Sequence, residues 1–144
     1  MKYFKWGCLG LLTLFVLAAG FAIFTSGYGT SPTGQGLSVG GIPSHAQQVE
    51  YYIPPPFSPM GSAEFDIDEK GYLEWVAARQ QRVSGLSKPV MGPTSIIRYD
   101  PKSSRFVKKS ISNGWAATWS HTDQGLYLMY DLDLKRAYYC WHSR

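Results

Sequence analysis

A run of 19 uncharged residues near the N-terminus constrains this chain of 144 residues more than any other feature. The run covers residues 6–24, WGCLGLLTLFVLAAGFAIF, and as a helix it would rise about 28 Å, close to the ~30 Å hydrocarbon core of a bilayer. Lys2 and Lys5 precede the run, and the next charged residue is Glu50. The positive-inside rule therefore predicts a cytoplasmic stub at residues 1–5 and a transmembrane helix at 6–24.

A cleaved signal peptide is the alternative interpretation of the same run, because a short basic start followed by an apolar centre is common to both. Small residues suited to cleavage occur at positions 18–20 and 20–22, but the apolar run continues through Phe24. A retained signal-anchor gives a single-pass protein of the cell membrane with an extracytoplasmic C-terminal domain, and with the lipid bilayer as the partner of residues 6–24. Cleavage gives a secreted protein.

The next 20 residues, 25–44, have the composition of a flexible linker. The segment TSGYGTSPTGQGLSVGGIPS has six glycines, no charge and no periodic apolar face. Its glycines neither follow a predicted strand nor open a helix, which excludes a phosphate loop or a dinucleotide-binding fingerprint. The sequence thus predicts a linker at 25–44 and an exported domain at 45–144.

The charge balance of the remaining chain argues against nucleic acid as a partner. The chain has 14 Lys and Arg against 10 Asp and Glu. Setting aside Lys2 and Lys5 leaves 12 basic and 10 acidic residues, without the basic cluster on one face that nucleic-acid binding requires. Two cysteines also exclude a small disulfide-stapled fold. Cys140 is expected either to be buried or to form an intermolecular disulfide, and the oligomeric state stays open.

Apolar periodicity predicts a small α+β domain. Residues 62–67 alternate as a half-buried strand, and residues 68–83 form an amphipathic helix centred near Val76. Later strands are predicted as two hairpins, one around Asn113-Gly114, which is a strong type I′ turn signal, and one around residues 131–135. The expected order is β-β-α-β-β-β-β, with one helix covering an antiparallel sheet that resembles a meander.

The motifs that carry chemistry are few, so the sequence predicts no enzyme, no metal site and no cofactor. His45, His121 and His142 lack zinc-ligand spacing. Ser120 and His121 are adjacent on a predicted strand and point to opposite faces, so they cannot form a nucleophile–base pair. An exported hydrolase or metal-dependent enzyme with an unrecognised site is the alternative.

One strand face suggests a ligand-binding site. Trp115, Trp119 and His121 alternate along a predicted strand, and a two-residue turn at Asn113-Gly114 would place Lys108 opposite Trp119. If exposed, these four side chains form an aromatic platform with a cation, suited to a glycan or a peptide. If the helix packs there instead, the aromatic stripe belongs to the core.

Three segments resemble an uncharacterised family of small bacterial membrane-anchored proteins: IPSHAQQVEYY, AEFDIDEKGYLEWV and GLYLMYDLDLKRAYYCWHSR. The positions that carry the resemblance are Glu64, Phe65, Ile67, Glu69, Leu73 and Trp75 in the middle segment, and Tyr130, Asp131, Arg136, Ala137, Tyr138 and Tyr139 in the last. The resemblance covers roughly residues 45–144. It implies an exported one-helix α+β domain and no activity. We expect a membrane-tethered binding or structural module, whose partner is a cell-envelope protein or a glycan.

Overall fold

The computed structural model describes residues 2–32, 34, 41–56 and 58–143 and, in the first helix, the side chains from Gly10 onward. Within these residues the elements are α1 (Lys2–Phe24), β1 (Gly27–Ser31), β2 (Gln47–Ile53), β3 (Met60–Asp66), α2 (Glu69–Gln80), β4 (Val90–Met91), β5 (Thr94–Asp100), β6 (Arg105–Ile111), β7 (Gly114–His121), β8 (Gln124–Asp131) and β9 (Arg136–His142).

The strands form two sheets. Seven strands make an antiparallel main sheet in the order β1-β2-β3-β9-β8-β7-β4, while β5 and β6 pair only with each other. We call this two-stranded sheet the ribbon. Since side chains alternate between the two faces of a strand, the strands β3, β9, β8 and β7 supply residues to two separate cores. Helix α2 covers one face of the main sheet and the ribbon covers part of the other, which gives three layers.

The α2 side holds the larger core. Tyr72 is fully buried, stacks on Tyr130 with ring centroids 5.1 Å apart and donates its hydroxyl to the Leu128 carbonyl at 3.0 Å. Trp75 is also buried and meets the Phe65 ring edge-on at 5.2 Å. Asp68 caps the helix by accepting from the Gly71 N–H at 2.7 Å. The predicted amphipathic helix is therefore confirmed, with its last turn ending at Gln80.

The ribbon side holds a smaller apolar core. Its buried members are Ile96, Ile111, Met129, Tyr138 and Cys140. The first two come from the ribbon and the other three from β8 and β9, so this core joins the two sheets. Cys140 is a free thiol with only 3% of its surface exposed, which confirms the expected burial.

The expected transmembrane helix is corrected by the structure. Among the described residues no helix is both long enough and apolar enough to cross a membrane. Three expectations depended on that helix and are therefore wrong: the fold class with an N-terminal transmembrane helix, the single-pass topology and the location in the cell membrane. Large apolar side chains of α1, Phe15 and Phe24 among them, are exposed.

The expected strand order is also wrong, because it has six strands whereas the described residues form nine. Residues 27–31, inside the predicted linker, form β1 and pair with β2 along its length. This strand is held by backbone pairing and by the Tyr28 hydroxyl, which donates to Glu50 Oε2 at 2.6 Å, so it carries no apolar alternation to detect. The two-residue strand β4 pairs with Trp115 and Ala116 of β7. Residues 33 and 35–40 of the predicted linker lie outside the described residues.

The hairpin predicted at Asn113-Gly114 does not form. Strand β6 pairs with β5, and β7 pairs with β8, so Lys108 lies opposite Ile97 and not opposite Trp119. A type I′ turn requires positive φ at both central residues, and neither Asn113 nor Gly114 has it. The chain at this point crosses from the ribbon to the main sheet. The hairpin predicted around residues 131–135 is confirmed, with Asp131 opposite Arg136.

Gly114 is required for a close backbone approach, which differs from the turn role that the sequence suggested. A Cβ atom at this position would overlap the Tyr130 carbonyl oxygen on the neighbouring strand. We expect Gly114→Ala to lower the free energy of unfolding by about 1–3 kcal/mol, as overpacked sites do. Chemical denaturation of the full chain measures the change.

Asn113→Ala is the matched control for this prediction. Asn113 is exposed and has ordinary negative φ, so its replacement should change the free energy of unfolding by less than about 0.5 kcal/mol. If Asn113→Ala lowers the free energy of unfolding as much as Gly114→Ala does, both residues would be needed for a turn, and the close-approach explanation would be wrong.

Candidate functional site

A groove of about 480 Å³ lies between the ribbon and the main sheet. It is lined by Met60, Ser95, Ile96, Ile97, Lys108, Tyr127, Cys140 and His142. Five of these residues are apolar, tyrosine or the neutral cysteine, and two of the five, Ile96 and Cys140, belong to the core that joins the two sheets. We refer to this feature as the inter-sheet groove.

The main sheet forms the floor of the inter-sheet groove. Tyr127 lies opposite Cys140 across β8 and β9, and Met60 lies opposite His142 across β3 and β9. Cross-strand partners share one face of a sheet, so the pairing alone brings these four side chains together. The His142 ring is tilted against Tyr127 with centroids 5.9 Å apart, and its Nδ1 lies 3.3 Å from the Asp123 carbonyl oxygen.

The ribbon forms the wall. Ser95 and Ile97 are on one face of β5, and Lys108 is the cross-strand partner of Ile97 on β6. Ile97 is 46% exposed, which is high for a large aliphatic side chain. Lys108 is exposed and makes no salt bridge with any residue in the described part of the chain. The wall thus presents an apolar side chain and an ammonium group side by side.

Cys140 is the only thiol in the groove lining, and its burial disfavours the reactive thiolate form. Burial raises the pKa of the Cys140 thiol to about 12. The thiolate is the nucleophilic and metal-binding form of cysteine, and it is almost absent at neutral pH when the pKa is this high. Cys140 therefore contributes a small apolar surface to the floor.

Next to the groove, a charge network joins the ribbon to the main sheet. Arg136 on β9 contacts Glu50 at 3.1 Å, Glu64 at 3.4 Å and the carboxylate of Asp66. Glu64 in turn accepts from Arg98 of the ribbon at 2.7 Å. Arg136 and Glu64 are 16% and 12% exposed as side chains, so these charges are largely shielded from water. The network is a structural tie and does not line the groove.

The sequence-predicted site residues are divided between two faces of the protein. Trp115, Trp119 and His121 share the α2 face of β7 with the buried Ala117, whereas Lys108 lines the inter-sheet groove. The prediction that Lys108 stands beside the tryptophans is wrong, because β6 does not pair with β7. That these four residues bind a ligand stays a prediction.

The aromatic stripe on β7 is partly core and partly surface. Trp115 is half-buried and donates its indole N–H to Glu69 Oε1 at 2.8 Å. Trp119 is half-buried against the α2-side core, with Gly85 beside its ring. His121 is exposed and lies nearly parallel to Trp119, at 12° and 6.3 Å between centroids. The stripe is therefore partly buried in the core at Trp115 and Trp119 and exposed at His121.

Metal binding and homology add no further site. The described residues contain no group of three or more His, Cys, Asp and Glu side chains placed to hold a metal ion. Comparison of the chain with models of protein families, with curated proteins and with solved structures gives no match. The resemblance to a family of membrane-anchored proteins therefore has no support from these comparisons, and function must be inferred from geometry.

Burial of Cys140 predicts slow alkylation. In a Cys8→Ser variant, Cys140 is the only thiol of this chain, which has two cysteines. At pH 8 a pKa near 12 leaves about 10³-fold less thiolate than an ordinary cysteine has, so iodoacetamide should react about 10²- to 10³-fold more slowly with the folded protein than with protein unfolded in guanidinium. Mass spectrometry follows the reaction. Similar rates in both states would show that the thiol is open to solvent.

Proposed function

We propose that this protein is a non-catalytic binding module whose ligand is a small, largely apolar molecule held in the inter-sheet groove. The groove itself carries the proposal: its volume of about 480 Å³ lies within the ~300–1,000 Å³ range of small-molecule sites, and its lining is mostly apolar with a few polar groups at the edge. Sites of this kind bind by burying apolar ligand surface, and the polar groups set the orientation.

The chemistry of the lining supports binding over catalysis. Nucleophilic or acid–base catalysis requires an activated nucleophile or a paired base within hydrogen-bond reach. The Cys140 thiol is protonated, and no carboxylate is among the lining residues that the structure describes to orient the imidazole of His142. The groove offers surface and charge without an assembled reactive pair.

A second candidate site is the Trp119–His121 pair. Two rings that are nearly parallel, one of them exposed, suit stacking on the apolar face of a sugar ring. This pair would make the protein a glycan-binding module. We rank it second because neither ring lines the inter-sheet groove.

Filling the groove tests the first proposal. In full-length protein with labelled Met and Ile methyl groups, titration with decan-1-ol should shift the resonances of Met60, Ile96 and Ile97 saturably, because these side chains line the groove. Ser95→Trp places an indole in the same space and should abolish those shifts. Ser112→Trp, at an exposed position outside the groove, is the matched control and should leave them unchanged.

Two results would contradict the proposal. The first is that no amphiphile tested shifts the groove methyl resonances. The second is that these resonances shift equally in the Ser95→Trp and wild-type proteins. Thermal unfolding of both tryptophan variants checks that each remains folded. Shifts of the Trp119 and His121 signals on addition of a soluble glycan fragment, with the groove silent, would favour the second candidate.

A further inference from the structure

We propose that the ligand of the inter-sheet groove is an unbranched aliphatic carboxylate whose head group pairs with Lys108 and whose chain lies on the Met60–Tyr127–Cys140 floor. This inference rests on the proposed binding function and adds the chemical class of the ligand and its orientation. It follows from the placement of charge around the groove.

Two adjacent lysines on β6 have different environments. Lys109 points between the two sheets, where its ammonium group contacts the Tyr138 hydroxyl and lies 3.9 Å from Asp131 Oδ2. Lys108 lies on the other face of the ribbon, at the rim of the groove that it helps to line, and forms no ion pair with the described residues. The protein thus pairs one ammonium group internally and leaves the next available to a ligand.

The surroundings of Lys108 favour an anion that carries an apolar chain. The described lining includes no carboxylate to compete for the ammonium group. Ile97, directly across the ribbon from Lys108, is largely exposed, and the floor beyond it is apolar. A ligand with a carboxylate at one end and a hydrocarbon at the other would satisfy both features, whereas a cation would be repelled and a neutral alcohol would leave the charge unpaired.

The adjoining hollow fixes the direction of the chain. This space of about 390 Å³ shares Met60 and His142 with the groove and continues past Pro59 to Asp123. The Asp123 carboxylate would repel an acidic head group placed at that end. The head is therefore expected beside Lys108, with the methyl end directed toward Met60 and His142.

The test compares three ten-carbon amphiphiles on the full chain at pH 7.5. Decanoate, decan-1-ol and decyltrimethylammonium are titrated against the methyl resonances of Met60, Ile96 and Ile97, which line the groove. We expect decanoate to bind about 3- to 10-fold more tightly than decan-1-ol, with the difference shrinking at high salt, and the cation to bind most weakly. Intermolecular NOEs should place the ω-methyl group of decanoate near Met60.

Lysine variants isolate the charge. Lys108→Met should reduce decanoate affinity to the level of decan-1-ol and leave decan-1-ol binding unchanged, while Lys108→Arg should retain most of the preference. Lys102→Met removes a charge from an exposed turn outside the groove and is the matched control. Because Lys108 is exposed, both substitutions should leave the folded state intact.

The outcomes separate the two proposals. Equal affinity for decanoate and decan-1-ol, or a preference that survives Lys108→Met, would overturn the carboxylate assignment while the groove remained a binding site. Groove resonances that move only with vesicles of an anionic phospholipid would overturn it as well. If all three amphiphiles shift only the Ile23 methyl resonance of α1, both this inference and the proposed function are wrong.

Discussion

The guanidinium group of Arg136 is the interaction on which the rest of this structure depends. It lies on β9 between carboxylates from β2 and β3, and through Glu64 it is linked to Arg98 of the ribbon. Burial alone would lower the pKa of Arg136, but Glu64, Asp66 and Glu50 together hold it above its usual value. The positive charge is therefore retained, and it requires these three carboxylates to stay close. One side chain thereby fixes the order β2-β3-β9 and the anchoring point of the ribbon.

The ribbon needs such a tie because its apolar contact with the main sheet is small. Ile96 and Ile111 are its only fully buried apolar side chains among the described residues. Two further contacts hold the same end of the ribbon: the Tyr99 N–H donates to Ser62 Oγ at 3.1 Å, and the Tyr99 ring stacks on Tyr52 with centroids 4.0 Å apart. Partly buried ion pairs contribute little net stability because charges are desolvated, but they specify geometry. Arg98 and Tyr99 therefore join β5 to β3 through Glu64 and Ser62.

The residue pattern within one segment was sufficient to predict the elements that local contacts stabilise. The α2 helix follows from its apolar arc and its aspartate cap, and the β8–β9 hairpin follows from two alternating strands around a short acidic turn. The same alternation places Tyr127, Cys140 and His142 on one face, so three of the four residues of the groove floor could be predicted. Lys108 was predicted to bind a ligand beside Trp119, but it lies on the ribbon opposite Ile97, and its role stays a prediction.

Elements that depend on distant partners could not be predicted in this way. Asn113-Gly114 has the composition of a type I′ turn, but β6 pairs with β5. The chain bends at Ser112 and Asn113 and enters β7 at Gly114 to reach the main sheet. Strand β1 is specified by the edge of β2 and not by its own side chains. The groove combines strands far apart in sequence, from Met60 to His142, and its wall is set by a charge network that no spacing rule detects.

Amide hydrogen exchange in an Arg98→Met variant tests most directly whether the charge network positions the ribbon. Removing Arg98 leaves Glu64 with Arg136 and cuts the tie to β5, so exchange should accelerate by at least about tenfold in β5 and β6. Protection in β8 and β9 should stay as in the wild type, and Arg105→Met, at the exposed end of the ribbon, should change neither. Unchanged protection in β5 and β6, or an equal loss in both sheets, would contradict this account.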